Sequence, residues 1–173
     1  MFTKSARIIV IGLFVVLVAV AVYMRVYQLA GISVMFIALL VWGYFKQGPI
    51  VLAAKHFHNK DYQGAERLLR EVNRPEWLSK SRRGFYEFIY GGVCLAKKDY
   101  EAAEKHYEIA AQYPLRTAND HVAALMHVAN ISIRNGNYDK AKAYLQLAEK
   151  HRDNITAKMK DVMYRVEQEL KKH

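Results

Sequence analysis

Apolar residues dominate the first part of the chain and become periodic after it. Two runs of 17 residues, Ile8–Met24 and Leu29–Phe45, are almost wholly apolar, and no Asp or Glu precedes Lys46. At ~1.5 Å per residue, a helix over either run is ~25 Å long, against ~30 Å for the hydrocarbon core of a bilayer. Neither run has a polar face, so both are expected to be helices that cross a membrane.

The two runs predict a transmembrane hairpin over residues 1–46, with spans at about 8–24 and 29–45. A second domain then covers residues 47–173, where all the acidic residues lie. A secretory signal peptide, cleaved near Ala21, is the alternative explanation of the first run. The hairpin is favoured over it because a second apolar run follows almost at once.

The cationic residues around the hairpin indicate its orientation. Lys4 and Arg7 precede the first span, Lys46 and Lys55 follow the second, and only Arg25 lies in the turn. Segments on the cytoplasmic side of a membrane carry an excess of Lys and Arg. We therefore expect an integral protein of a bacterial inner membrane, with two spans and with both termini in the cytoplasm.

Beyond residue 46, the same residue types recur at intervals of 38 positions. The recurring residues are the tyrosines Tyr62, Tyr100 and Tyr138, the alanines Ala65, Ala103 and Ala141, and the small residues Ala53, Gly91 and Ala129. Lys-Asp or Gly-Asn precedes each tyrosine, which is typical of a turn that caps the following helix. A fixed period of this length predicts stacked helix pairs, in which small residues form a core that lets two helices approach closely.

This period and its apolar stripes predict three helix pairs and one terminal helix. The pairs are 49–59 with 62–72, 80–97 with 100–113, and 119–135 with 138–151. A last helix over 155–171 has one apolar face and one charged face, so it is expected to cap the array against water. The predicted fold is thus all-α: the transmembrane hairpin, an α-solenoid of three helix pairs and the capping helix.

The repeated residues resemble the tetratricopeptide repeat (TPR). The second unit fits best, since Gly91, Tyr100, Ala103, Tyr107 and Ala110 stand at the small and aromatic positions of that pattern. The period of 38 is longer than the usual ~34, so each connection between units carries extra residues. The resemblance covers about residues 49–151 and implies an array that holds other proteins, without indicating which ones.

In this family the first helix of each pair contributes to a concave binding face. The residues expected there by register are Phe57, His58, Phe85, Phe88, Leu95, Met126, Asn130, Ile133 and Arg134. Aromatic, amide and cationic side chains together suit a peptide or a helix, and the alternative is that half of them are core. TPR domains that clamp a C-terminal carboxylate carry Lys and Asn where this chain has Ile50 and Ala54, so that mode is not expected.

The charged residues add little to the functional prediction. The net charge is +10, but cations alternate with acids along most of the predicted helices, as on a solvated face, so nucleic-acid binding is not expected. The exception is a basic cluster of Arg74, Lys80, Arg82 and Arg83. This cluster is either a contact for anionic lipid or a plain solvated loop.

Nothing in the sequence indicates catalysis. Cys94 is the one cysteine and lies in the register of the packed first helices, so it is expected to be a structural thiol. The seven histidines lack the spacing of metal ligands, and no glycine-rich phosphate loop occurs. We therefore predict no enzyme, no cofactor, no metal and no small-molecule substrate.

Taken together, these features predict a membrane-anchored scaffold that recruits a protein or peptide client through a TPR groove, with the lipid bilayer as its other partner. One alternative is a structural subunit of a membrane complex, assembled through small residues such as Gly12 and Gly31 of the hairpin. The other is a homo-oligomer formed through the uncapped first helix of the array. The sequence identifies neither the client nor its pathway.

Overall fold

Helices make up the secondary structure throughout the described part of this protein. The computed structural model describes residues 4–173, apart from the side chains of residues 4–9, 11, 40–41 and 43–47. The α-helices in that part are α1 (Lys4–Tyr23), α2 (Tyr27–His58), α3 (Tyr62–Arg70), α4 (Lys80–Ala96), α5 (Tyr100–Ala111), α6 (Ala118–Arg134), α7 (Tyr138–Glu149) and α8 (Ala157–Leu170). Short 3-10 helices occur at Pro75–Trp77 and Arg152–Asn154. Packing divides the chain into two compact parts, residues 1–49 and 50–173. The predicted domain boundary after residue 46 stays a prediction.

The first compact part is a helical hairpin. Helix α1 ends at a turn in which Arg25 has a left-handed φ of 59°, and α2 starts two residues later. The rings of Phe14 and Phe36 stack at 5.8 Å between centroids. The buried Ser33 side chain donates a 2.9 Å hydrogen bond to the Leu29 carbonyl one turn earlier, so it leaves no unpaired polar group between the helices.

The prediction of two membrane spans was wrong. Among the helices of the described residues, none combines the length and the apolar character that crossing a membrane requires. The predicted integral, two-span location in a bacterial inner membrane, with cytoplasmic termini, is therefore wrong as well. The side chains of Lys4, Arg7 and Lys46, on which the predicted orientation depended, lie outside the described residues.

The all-α repeat array was predicted correctly. Helices α3 to α7 begin and end within two residues of the predicted bounds, and α8 does so too. Helix α2 differs, because it continues without a break from Tyr27 through Pro49 to His58. We number the units by their helix pairs: the end of α2 with α3 is unit one, α4 with α5 is unit two, and α6 with α7 is unit three.

The same turn joins the two helices of each unit. Its first residue has a left-handed φ of 62° at Lys60, 65° at Lys98 and 75° at Gly136. The next residue is Asp61, Asp99 or Asn137, whose side chain accepts a hydrogen bond of 2.9, 3.1 or 3.3 Å from a backbone N–H three residues on. These bonds satisfy donors that a helix start leaves without partners, so they fix where α3, α5 and α7 begin.

The core of each unit pairs a small residue on the first helix with a large one on the second. Gly91 lies so close to the Tyr107 ring that a Cβ at residue 91 would be 3.1 Å from it. In unit three the small residue is the buried Ala129 and the large one is Leu145. A tyrosine thus packs against Gly, whereas the shorter leucine leaves room for Ala.

The remaining predicted core residues lie at different depths. Five alanines of the repeat, Ala53, Ala65, Ala103, Ala129 and Ala141, are fully buried. Tyr62 and Tyr100 are half-buried, whereas Tyr138 is exposed and stacks on His173 at 4.8 Å. The alanines therefore lie inside the helix pairs, and the tyrosines lie where each pair meets solvent.

Candidate functional site

The predicted groove residues divide by exposure into three groups. His58, Asn130 and Arg134 are exposed; Phe57, Phe85, Phe88 and Leu95 are half-buried; Met126 and Ile133 are buried. Met126 and Ile133 belong to the core formed by α6, α7 and α8. They are therefore out of reach of a partner in this conformation. We call the surface of α4 and α6 that carries Phe85, Phe88, Leu95, Asn130 and Arg134 the first-helix face.

Aromatic rings form the apolar part of the region. Phe88 packs edge-on against Tyr107, with 5.7 Å between ring centroids. The ring of Phe57 lies directly over Gly92, where a Cβ would come within 2.5 Å of the Phe57 ring. Glycine is needed here because only the absence of a side chain lets this ring lie against α4. The half-buried rings are held by their neighbours, so their exposed edges have fixed positions.

The polar end of the first-helix face is fixed by a cation–π contact. The guanidinium carbon of Arg134, at the end of α6, lies 3.9 Å from the ring centroid of Tyr100, at the start of α5. Such contacts contribute about 0.5–1 kcal/mol at exposed sites. Asn130 lies one helical turn before Arg134 and is exposed. An exposed amide and an ordered cation therefore stand side by side.

A half-buried carboxylate, Glu104, holds α6 in its place. Glu104 on α5 accepts hydrogen bonds from Ser132 Oγ at 2.8 Å and Asn135 Nδ2 at 3.4 Å, and it pairs with Lys140 Nζ at 2.8 Å. Burial alone raises the pKa of Glu104, but the hydrogen bonds from Lys140 and Ser132 outweigh it and the net pKa is lowered. Because Ser132 and Asn135 flank Arg134, this network positions the polar end of the face.

A second carboxylate, Glu87, is only 1% exposed and lies within α4. Arg83 Nη2 lies 2.7 Å from it and His106 Nδ1 lies 2.5 Å from it. The His106 ring in turn stacks on Tyr90 at 4.4 Å between centroids. Arg83 therefore points into the unit, where its charge offsets that of a buried acid.

The predicted basic cluster is consequently divided. Arg83 belongs to the internal pair with Glu87, whereas Arg74 lies over the exposed Trp77 ring at 4.5 Å. Lys80 is exposed and Arg82 is half-buried. A lipid contact for these four residues stays a prediction.

The side chains of Cys94 and His127 occupy packing positions. Cys94 is a free, buried thiol, and burial raises its pKa to about 11, which leaves little of the reactive thiolate near neutral pH. His127 stacks on Tyr107 at 4.4 Å, and burial lowers its pKa. Within the described residues, no group of three His, Cys, Asp or Glu side chains could hold a metal ion.

One feature was missed in the sequence. A cavity of about 230 Å³ opens between α7 and α8, and it is lined by residues that include Leu145, Lys160, Met163, Tyr164 and Glu167. The signal that would have found it is the repeat itself, because α8 lies 38 residues beyond α6. The stacked pair of Tyr100 and Arg134 was missed for a simpler reason: residues on different units become neighbours only through the packing.

Helix pairs with identical turns, a small-against-large core and an open face of first helices define a tetratricopeptide-type repeat protein. The family model described as the SusR N-terminal TPR domain matches residues 46–164, and the chain belongs to this family. Comparison with curated proteins and with solved structures gave no match. TPR proteins are generally non-catalytic modules that bind protein partners, so this chain belongs to the class of protein-interaction scaffolds.

Proposed function

We propose that this protein recruits a protein client by binding a short segment of it along the first-helix face. The observation that carries the proposal is the ordered guanidinium of Arg134, 3.9 Å from the Tyr100 ring and next to the exposed Asn130. A long cationic side chain normally loses conformational freedom when it binds, and one that is already ordered loses less. The favoured client segment therefore carries an acidic group.

Each part of the face has a role in this proposal. The half-buried edges of Phe85 and Phe88 offer apolar contact to a client side chain. The Asn130 amide can both donate to and accept from a peptide backbone, since it carries two N–H groups and a carbonyl oxygen. Arg134 pairs with the acidic group of the client. No covalent step is involved, so the effect of the protein is to hold and concentrate its client.

Site-specific photocrosslinking tests this function. A benzophenone amino acid replaces Ala96, an exposed residue at the end of α4 that has no role in the proposal, in the full chain produced in its own cells, and captured proteins are identified by mass spectrometry. Introducing Arg134→Glu into the same chain is expected to abolish the capture, because it sets a negative charge against the client's acidic group. The matched control is Lys150→Glu, an equal change of charge at an exposed residue after α7.

The comparison is valid when both variants keep the thermal midpoint of the parent. Capture lost in Arg134→Glu and retained in Lys150→Glu supports the proposal. Equal capture in the two variants contradicts it, because the crosslinked protein would then not depend on the cation of this face.

A further inference from the structure

Helix α8 stands in the register of a first helix. Adding 38 to residue numbers of α6 takes Val122, Leu125, Met126 and Ala129 to Lys160, Met163, Tyr164 and Glu167 of α8. In α6 these four positions are buried against α7, the second helix of unit three. On α8 the same positions line the cavity beside α7, and within residues 4–173 no further helix pairs with α8 as α7 pairs with α6. We call these four residues of α8 the terminal face.

The terminal face combines an apolar floor with charged ends. Met163 is buried and forms the floor, while the neighbouring Tyr164 is 59% exposed. Lys160 is exposed and, within the described part of the chain, makes no salt bridge. Glu167 pairs with Lys171 at 2.7 Å, yet its side chain is still 41% exposed. A large aromatic group and two charges are thus available to a partner.

The order of these residues is self-complementary. In a pair of antiparallel α8 helices centred between residues 163 and 164, Lys160 faces Glu167 of the other copy and Met163 faces Tyr164. A two-fold axis repeats each pair, which gives two Lys–Glu pairs and two Met–Tyr contacts. Antiparallel packing is also how a second helix joined by a short turn lies on its first helix within a unit.

We propose that a second copy of this chain docks on the terminal face, α8 against α8, and forms a two-fold symmetric dimer. The second α8 takes the place that α5 and α7 occupy in units two and three. Glu167 stands where Gly91 and Ala129 allow close packing, so the occupant must offer a cation rather than a small residue. Lys160 of the second copy is that cation. This inference does not depend on the proposed client or on the first-helix face.

Charge reversal tests the pairing in the full chain. Lys160→Glu and Glu167→Lys each turn both attractive pairs into repulsive ones, so each is expected to raise the dimer dissociation constant roughly 10- to 100-fold. An equimolar mixture of the two variants has opposite charges across the axis again, and it is expected to regain the wild-type affinity. The matched controls are Lys158→Glu and Glu169→Lys, which make the same changes at exposed positions outside the face.

Energy transfer between labelled copies is the measurement. Lys172→Cys in a Cys94→Ser background carries the dye, and the proposed geometry puts two such dyes about 25 Å apart. High transfer in the parent, in both controls and in the mixture, with low transfer in either reversed variant alone, supports the proposal. Unchanged transfer in the reversed variants, or no recovery in the mixture, overturns it. Circular dichroism establishes that every variant is folded.

Discussion

Ser132 donates a 2.8 Å hydrogen bond to the carboxylate of Glu104, and this bond connects unit three to unit two. Ser132 is fully buried, so the bond is shielded from water. The same register recurs one unit earlier, where Glu66 of α3 pairs with Lys97 after α4. A glutamate on α3 and one on α5 thus each hold the end of the next first helix.

Replacing Glu104 by Gln is expected to lower the free energy of unfolding by about 1–3 kcal/mol, because the pair with Lys140 is lost and an amide cannot accept all the bonds present. Urea denaturation of the variant and its parent measures the difference. Glu101→Gln is the control, since Glu101 is highly exposed and pairs with Lys105 one turn away, and it is expected to change the free energy by less than ~0.5 kcal/mol. Equal effects of both substitutions contradict the prediction.

The same carboxylate gives stability a defined dependence on pH. The folded-state pKa of Glu104 is lowered, so the unfolded chain binds its proton first as the pH falls. The contribution of Glu104 is therefore fully present above its unfolded pKa of ~4.3, and it is lost as the pH falls through the lower folded value. Unfolding free energies from pH 6 to pH 3 should decline less steeply in Glu104→Gln than in the parent. Parallel curves contradict this assignment.

Gly91 and Tyr107 match in size, so the effect of Gly91→Ala on the free energy of unfolding is predicted to change sign when Tyr107 is also replaced. Gly91→Ala is expected to destabilise the parent by about 1–2 kcal/mol, because Tyr107 is buried and is held by Phe88 and His127, so its ring cannot move away. In a Tyr107→Leu background the same substitution is expected to stabilise by about 0.5–1 kcal/mol, since Ala favours a helix. Thermal or urea unfolding of the four proteins measures the coupling. An identical effect in both backgrounds would falsify the size-matching argument.

The left-handed turn residues predict a stabilising substitution. Lys98 has a φ of 65°, which costs an L-residue with a side chain roughly 1–2 kcal/mol and costs glycine nothing. Lys98→Gly is therefore expected to raise the free energy of unfolding by about 0.5–1 kcal/mol, after the greater freedom of the unfolded chain is subtracted. Gly136→Ala, at the same position of unit three, is expected to lower it by a similar amount. The prediction fails if the two changes shift the urea midpoint in the same direction.

Burial of Cys94 predicts an unreactive thiol. Because burial raises its pKa to about 11, a disulfide reagent at pH 8 should modify Cys94 only as fast as the protein opens. Absorbance of the released thiol follows the reaction, and urea is expected to accelerate it. Leu147→Cys in a Cys94→Ser background supplies an exposed thiol for comparison, since Leu147 is 42% exposed. Similar rates for the two thiols in the folded protein rule out the buried assignment.

Histidine burial adds a second pH dependence at higher pH. Burial lowers the pKa of His127, so the unfolded chain takes up this proton before the folded one does. The stability that results is fully present above the unfolded pKa of ~6.5 and is lost as the pH falls towards the lower folded value. His127→Phe keeps a ring against Tyr107 and should flatten the unfolding free energy between pH 7 and pH 5. His121→Gln should flatten it too, because burial and the neighbouring His151 lower the pKa of His121. An unchanged slope in His127→Phe contradicts the prediction.

Much of the array could be predicted from the sequence because its signals are local. Each turn combines a left-handed residue with an Asp or Asn cap, and the cap accepts a hydrogen bond from a backbone N–H three residues away. A period of 38 residues then repeats the signal, so the helix bounds could be predicted to within two residues. The membrane hairpin was predicted wrongly, since among the described helices none is both long and apolar enough to cross a membrane.

Depth within the array was harder to predict than register. Met126 and Asn130 lie one helical turn apart and share a predicted face, yet Met126 is buried and Asn130 is exposed. Register gives the direction of a side chain, whereas burial depends on how far α7 and α8 extend over α6. The contact between Arg134 and Tyr100 likewise needs two units to be packed before it exists. The residues of the candidate site are therefore harder to predict from the sequence than the helices that carry them.

The unequal links between units bear on how the array opens. Helix α3 has only nine residues, and its link through Glu66 ends on Lys97, whose side chain is 45% exposed. Helix α6 is enclosed on both sides and is linked through the buried Ser132. Local fraying of α3 therefore exposes less apolar surface than opening of α6, which carries more buried residues and disrupts two units at once. In native-state hydrogen exchange, the amides of α3 are expected to exchange through small fluctuations, and those of α6 only when the whole array unfolds.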